Sequence, residues 1–149
     1  MDAPVIRSAL PADEAAWLKL WQGYCHDSGL AAGAEVTRRT WTRILDPDSA
    51  IMCIVAEVEG QVYGFAHCVV HEHTRETQPV CCLEDLFVLP SARGRGIATA
   101  LIEWLRNAMR AEGWAHLYWQ ARQDNELARK LSDRFGRADL LARYVVRSR

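Results

Sequence analysis

The spacing of apolar residues along the chain changes several times, and each change marks an element. Val5-Ile6-Arg7 is a short apolar start that predicts a strand, and Pro11-Ala12-Asp13-Glu14 carries the proline and acidic residues that favour the first turn of a helix. Ala15, Trp17, Leu18, Trp21, Tyr24 and Cys25 then recur at three- and four-residue spacing, which predicts an amphipathic helix with Trp17 and Trp21 turned inward. Ser28-Gly29 and Gly33 predict a loop, and a second, weaker helix runs from about Glu35 to Leu45, ended by Asp46-Pro47-Asp48.

Beyond it the pattern becomes that of strands. Ile51 to Val58 is rich in β-branched residues, Glu59-Gly60 predicts a hairpin turn, and Gln61 to Val70 is the returning strand. His71 to Glu76 is a polar connection, after which Val80 to Leu89 predicts a third long strand stopped by Pro90. From Gly96 the period is helical again, with Ile97, Leu101, Leu105, Ala108 and Met109 on one face and Glu112-Gly113 at the end. Trp114 to Gln120 reads as a strand, Asp124 to Phe135 as a helix closed by Gly136, and Leu140 to Val146 as a last strand. The order β, α, α, β, β, β, α, β, α, β predicts one α/β (α+β) domain over residues 1–149, a mixed sheet with helices packed on its faces.

Composition narrows the classes. A chain of 149 residues with half its positions hydrophobic and a quarter charged has the balance of a globular domain. Lys+Arg of 18 against Asp+Glu of 19 leaves a formal charge of -1, no global excess to attract nucleic acid or an anionic membrane. Arg134, Arg137, Arg143, Arg147 and Arg149 gather toward the C-terminus, where a solvated tail is the favoured reading. The five cysteines, Cys25, Cys53, Cys68, Cys81 and Cys82, have neither CxxC pairing nor the spacing of a disulfide framework and are expected to be reduced. No signal-peptide pattern opens the chain and no apolar run has the length of a membrane span, so a cytoplasmic protein is expected.

The most informative segment runs from Leu86-Phe87-Val88 through Arg93-Gly94-Arg95-Gly96 to Ile97-Ala98-Thr99: a buried strand, a Gly/Arg turn, then a helix. Glycines allow close backbone approach, the first helical N–H groups lack partners, and the helix dipole favours an anion, so the junction is suited to phosphate. The dinucleotide-binding fingerprint fails, because Thr99 stands where its third glycine or alanine belongs and no acidic residue lies between His116 and Gln120. The Walker pattern fails for want of a Gly-Lys-Ser/Thr after the turn.

Arg93-Gly94-Arg95-Gly96-Ile97-Ala98 matches the Arg/Gln-x-x-Gly-x-Gly/Ala signature of the GNAT N-acetyltransferases, and the sequence resembles that superfamily over essentially its whole length. Leu83-Glu84-Asp85-Leu86-Phe87-Val88, and Tyr118-Trp119 with Asn125, Ala128, Arg129 and Leu131, are most similar to the small polyamine and histone acetyltransferases. The resemblance implies a mostly antiparallel sheet of six to seven strands, splayed at the cofactor site, with four helices, and acetyl-CoA as co-substrate. It implies pantetheine bonded to the backbone of Leu86, Phe87 and Val88, pyrophosphate held by amides from Gly94 to Thr99 beside Arg93 and Arg95, and Asn125 on the cofactor. Asn125 has a second reading, a helix N-terminal residue. A homodimer is the family habit, to which Leu140 to Val146 would contribute.

An alkyl amine of pKa near 10.4 is protonated at neutral pH, so acetyl transfer needs a proton acceptor. Glu84 aligns with the glutamate of the polyamine-acetyltransferase motif and is preferred over Asp85 as base or amine ligand; without a bulge the two side chains point to opposite faces of the strand. Ser132 departs from the family pattern, which has a tyrosine there to protonate the departing thiolate. Tyr144, Tyr118 or water are the substitutes, with Tyr144 also readable as a packed strand aromatic. His71 and His73 could ligate a metal with Cys68 or Glu72, but are read as surface residues, and no metal is expected. A cysteine nucleophile at Cys81 or Cys82 is disfavoured inside an apolar strand. The expected activity is N-acetylation of a primary amine (polyamine, amino-acid side chain or protein lysine) by direct attack in a ternary complex. The alternatives are an acyl-CoA-binding module without catalysis and a nucleotide-binding protein using the same turn.

Overall fold

A computed structural model describes residues 2–148. Among them are five strands and four helices: β1 (Val5–Ser8), α1 (Glu14–Ser28), α2 (Ala34–Leu45), β2 (Ile51–Val58), β3 (Gln61–His71), β4 (Val80–Val88), α3 (Ile97–Glu112), β5 (Leu117–Trp119) and α4 (Glu126–Asp133). The strands lie in one sheet in chain order. β1 through β4 pair antiparallel, and β5 joins β4 in parallel after the α3 crossover.

The hairpin between β2 and β3 forms where expected. Glu59 (φ 51°) and Gly60 (φ 80°) both take positive φ, as a two-residue turn between twisted strands requires, and Val58 pairs with Gln61 across it. Both faces of the sheet are covered, which is why β2 reads as an almost unbroken apolar run. Cys53 and Val55 face α1 and α2, with Trp17, Leu20, Trp41, Phe65 and Phe87. Ile54 and Ala56 face α3, with Leu83, Val88, Ile97, Leu101 and Leu105, and Leu131 and Phe135 close that side. At the start of α1 the Arg7 guanidinium bonds both oxygens of Asp13, whose carboxylate also accepts from the Leu10 N–H. Arg7 holds the Asp13 carboxyl below the usual range.

Two strand expectations are corrected. The strand expected at Trp114 to Gln120 shrinks to three residues, and Leu140 to Val146 forms no strand. Residues 137–148 have no regular structure, and Leu140, Leu141, Tyr144 and Val146 are exposed. A strand needs a neighbour for its N–H and C=O groups, and among the described residues no strand lies beside this segment. The sheet therefore has five strands instead of six or seven. Arg149 lies outside the described residues.

β3 and β4 approach closely at Gly64 on β3, where an added Cβ would stand 3.0 Å from the Phe87 carbonyl oxygen and 3.3 Å from side-chain carbons of Val88 and Ile97. Backbone cannot yield as a side-chain tip can, so Gly64→Val is expected to cost about 1–3 kcal/mol, read as a lowered denaturation midpoint in urea. An unchanged midpoint would show that the β3–β4 contact accommodates a side chain there.

Candidate active site

β4 is paired unequally on its two edges. Toward β3 it is matched from Val80 to Val88, whereas toward β5 the register covers only Cys81, Cys82 and Leu83, opposite Leu117, Tyr118 and Trp119. From Glu84 onward the β5-side edge of β4 is open, so Leu86 and Val88 present main-chain groups to a slot between the strands, while those of Phe87 between them face β3. This is where an extended amide-bearing chain can add hydrogen bonds to a sheet edge. The Val88 carbonyl is already taken, accepting from Arg93 Nε at 2.9 Å.

A 3-10 turn at Pro90–Ala92, pinned by buried Ala92, leads from β4 into the Arg93 to Gly96 turn. Gly94 (φ 78°) and Gly96 (φ 79°) are both left-handed, a conformation that glycine adopts without steric cost. Gly96 is the N-cap of α3, and its carbonyl accepts the Ala100 N–H at 2.9 Å. Among the described residues, the N–H groups of Gly94, Arg95, Gly96, Ile97 and Ala98 donate to no protein acceptor. A cluster of free amides at the positive end of a 16-residue helix is complementary to a phosphate group.

The two arginines of the turn differ. Arg93 turns back: besides the Val88 carbonyl it bonds Asp27 on α1 at 3.0 Å and lies 5.3 Å from the centre of the Phe87 ring. It braces the turn against α1 and β4, contributing its backbone to the loop and its charge elsewhere. Arg95 has no ion-pair partner among the described residues. A cation the sequence left in the tail stands nearby instead, since Arg134 donates to the Thr99 hydroxyl in the first turn of α3 at 3.3 Å. Asn125 is the N-cap of α4, its side-chain oxygen accepting from the Ala128 N–H at 3.1 Å, which leaves its amide nitrogen for any other partner.

The carboxylates lie where β5 leaves β4. His67 pairs with Asp85 and Cys68 with Leu83, so Glu84 is an extra residue, a β-bulge in β4. The condition that set Glu84 and Asp85 on opposite faces, an unbulged strand, is thereby removed. Asp85 is on the α1 side, hydrogen-bonded to His67 Nδ1 at 2.9 Å. Glu84 is exposed, and its charge bears on Tyr24 to one side and Tyr118 to the other. The Tyr24 phenol is pushed far above its usual range by burial first and then by Asp85 beside it. His67, Trp17 and Tyr24 escaped the sequence reading as site residues; the available signal was a histidine amid the apolar run Phe65-Ala66-His67-Cys68, at a buried strand position.

Ser132 accepts from Trp119 Nε1 at 2.8 Å, tying α4 to β5 at the mouth of the slot. Among the candidates for its missing acid, Tyr144 is 88% exposed in the C-terminal tail and is not part of the site. Tyr118 is on β5 one step from the slot. His71 Nδ1 meets the Glu72 carbonyl and must donate to it, so Nε2 accepts the Tyr118 O–H at 2.8 Å. Burial, then the neighbouring Cys82, push the Tyr118 phenol up to about 12, which makes it a poorer proton donor than an ordinary tyrosine. Burial likewise raises the Cys82 thiol, against a nucleophilic role. No group of three or more metal-ligating side chains occurs among the described residues, His71 and His73 included. A cavity of about 720 Å³ opens between α1 and α2, lined largely by Leu18, Trp21, Cys25, Ala31, Ala32 and Arg38.

A mixed sheet that parts beside an amide-lined turn, with carboxylates at the parting, is suited to hold an extended chain that ends in a phosphate group. The model of the Acetyltransferase (GNAT) family matches residues 14–136, and the chain belongs to that family, with its α+β fold. It is 31% identical over 132 residues to the D-amino-acid N-acetyltransferase HPA3 of Saccharomyces cerevisiae, covering 87% of this chain and 82% of that protein. It is 30% identical over 121 residues to an aminoglycoside N(6')-acetyltransferase type 1 of Salmonella typhimurium, covering 79% and 77%. In fold it is similar to the structure of AAC(6')-Iy in complex with the bisubstrate analogue CoA-S-monomethyl-acetylneamine, with TM-score 0.84, 22% identity and 99% of each chain covered. A ribosomal-protein-alanine N-acetyltransferase from Brucella melitensis biovar Abortus 2308 is similar too, with TM-score 0.82, 24% identity and 97% and 99% covered.

A β-branched side chain at a left-handed position costs about 1–3 kcal/mol of strain and would disturb the amides around Gly96. Gly96→Val is therefore expected to weaken acetyl-CoA binding by about tenfold or more in calorimetry. Normal binding by a folded variant would place the phosphate site elsewhere.

Proposed function

We propose that this protein is an N-acetyltransferase that moves the acetyl group of acetyl-CoA to a primary amine by direct attack in a ternary complex. The observation that carries this reading is the placement of Glu84 and Asp85 at the point where β5 leaves β4. A thioester whose pantetheine follows the open edge of Leu86 to Val88, with its pyrophosphate on the amides of Gly94 to Thr99, brings its carbonyl to those carboxylates. Held by main chain, the cofactor arm would need no side-chain chemistry of its own to be positioned beside them.

In the reaction the ammonium of the acceptor loses a proton to Glu84, directly or through water, while Asp85 holds it by charge. The amine nitrogen attacks the thioester carbon to form the C–N bond, a main-chain N–H near Phe87 stabilises the oxyanion, and as the oxyanion collapses the C–S bond breaks and the nitrogen gives up its second proton to the departing thiolate or to water. A thiolate with a pKa near 8.5 leaves tolerably without a strong acid, consistent with Ser132 bonded to Trp119 in place of a tyrosine. The acceptor enters from the α1–α2 side. Curated relatives named for D-amino-acid and aminoglycoside acetylation support a small amine over a protein lysine.

The test is CoA release with mass-spectrometric detection of product, for purified protein given acetyl-CoA and a panel of D- and L-amino acids, aminoglycosides, polyamines and a lysine peptide. Turnover with one class is expected, and Glu84→Gln should lower kcat by about 100-fold at unchanged acetyl-CoA affinity. Saturable acetyl-CoA binding without turnover across the panel would favour the second reading, a binding module, for which the Ser132–Trp119 hydrogen bond is the motivating observation. ADP binding as tightly as acetyl-CoA would instead point to a nucleotide site without a pantetheine slot.

We also propose a cytoplasmic homodimer, with the apolar tail Leu140, Leu141, Tyr144 and Val146 packing on a second copy. Analytical ultracentrifugation is expected to give a two-chain mass, and deletion of residues 139–149 the mass of one chain. A monomer for the undeleted 149-residue chain would overturn it.

A further inference from the structure

The structure assigns His67 as a positioning residue that fixes the Asp85 carboxylate for the acceptor amine, an inference that rests on the acetyltransferase reading above. His67 is 3% exposed, in the middle of β3, where an imidazole is costly unless both ring nitrogens are satisfied. Both are. Trp17 Nε1 lies 2.9 Å from His67 Nε2, and His67 Nδ1 lies 2.9 Å from Asp85 Oδ2.

The tautomer follows from the chemistry of the partners. An indole nitrogen only donates, so Nε2 must offer a lone pair to Trp17, and in the neutral ring the hydrogen then sits on Nδ1 and is donated to Asp85. Flipping the ring would set carbon against both partners. Packing also prevents it: Phe65 lies 4.4 Å from the imidazole centroid and Trp21 5.5 Å. Trp17 is itself buried, stacked on Trp21 at 5.8 Å and against Trp41 at 4.9 Å. A rigid aromatic wall thus presents one N–H to the site, and Asp85 takes it with one oxygen while its side chain stays 20% exposed toward Tyr24 and the slot.

The bulge makes the arrangement possible, because the extra residue Glu84 brings Asp85, not its neighbour, opposite His67. The two carboxylates then have different tasks. Glu84 is exposed and without a hydrogen-bond partner among the described residues, free to take and release a proton. Asp85 is held in one orientation as an acceptor, which suits it to aim an ammonium group at the thioester instead of to shuttle protons.

Two isosteres separate the functions of the two ring nitrogens. In His67→Asn the short carboxamide places an N–H near Nδ1 and keeps the bond to Asp85; in His67→Gln the longer one places an oxygen near Nε2 and keeps the bond to Trp17. With the best acceptor found, His67→Gln is expected to lower kcat/KM for the amine by about tenfold or more, the worth of a hydrogen bond to a charged group, with acetyl-CoA affinity unchanged. His67→Asn should recover most of that loss. Asp85→Asn, which removes the charge together with its orientation, should lose at least as much as His67→Gln, and the double variant should be no worse than Asp85→Asn alone. Equal losses in Asn and Gln, no loss in either, or losses that add with Asp85→Asn would overturn the assignment. If the His67→Gln variant does not fold, or if no acceptor is found, ring 15N chemical shifts of the wild-type protein decide. They are expected to show His67 with hydrogen on Nδ1 and a lone pair on Nε2. The opposite tautomer would overturn the proposal, whatever the protein acetylates.

Discussion

A strand in the middle of a sheet that loses one neighbour partway along its length leaves main-chain hydrogen-bonding groups that something else must satisfy. β4 is such a strand: paired with β3 through Val88, it is paired with β5 only through Leu83. Everything in the site is arranged around that half-open edge. The slot it creates is lined by backbone, the turn at its far end is lined by backbone, and the side chains at its near end are the carboxylates Glu84 and Asp85. Main-chain groups ask little of the sequence beyond glycines where the turn must be left-handed, and so a family can hold one co-substrate with few identical residues.

The apolar packing decides how the opposite face meets that edge. An added Cβ at Gly23 would come within 2.9 Å of the Phe87 ring, so α1 lies unusually close to β4. This closeness brings Tyr24 against Asp85 and Trp17 against His67, and it lets Arg93 reach Asp27 from the glycine turn. The aromatic cluster of Trp17, Trp21, Trp41, Phe65 and Phe87 is at once hydrophobic core and support for the site. A buried imidazole survives there because both nitrogens are bonded, an arrangement that rigidifies when complete and is costly when partial.

The strand–glycine turn–helix junction was legible in the sequence because its pattern is local: glycines, a buried strand before it and an amphipathic helix after it occupy adjacent positions. The side-chain assignments were less legible, since each depends on where a distant element lies. Arg93 points to α1 because Asp27 is there, Arg134 reaches α3 because α4 packs beside it, and Asn125 spends its oxygen on its own helix. Tyr144 was proposed as a proton donor on the assumption that Leu140 to Val146 is a strand of the sheet, and without a neighbouring strand it stands in solvent.

By itself, the sequence determined most of the elements and the glycine turn before α3, because hydrophobic period, glycine placement and turn chemistry act over a few residues. The Glu59-Gly60 hairpin and the face of α3 follow from those rules directly. Only the tertiary structure decided which carboxylate is anchored and which is free. A one-residue bulge sets the phase of the rest of β4 against β3, and nothing in the spacing of Leu83-Glu84-Asp85-Leu86 marks which residue is the extra one. The same holds for His67, Trp17 and Asp85: 50 residues separate the first two and 18 the first and last, and only the packing of α1 on the sheet brings their polar atoms within hydrogen-bonding distance.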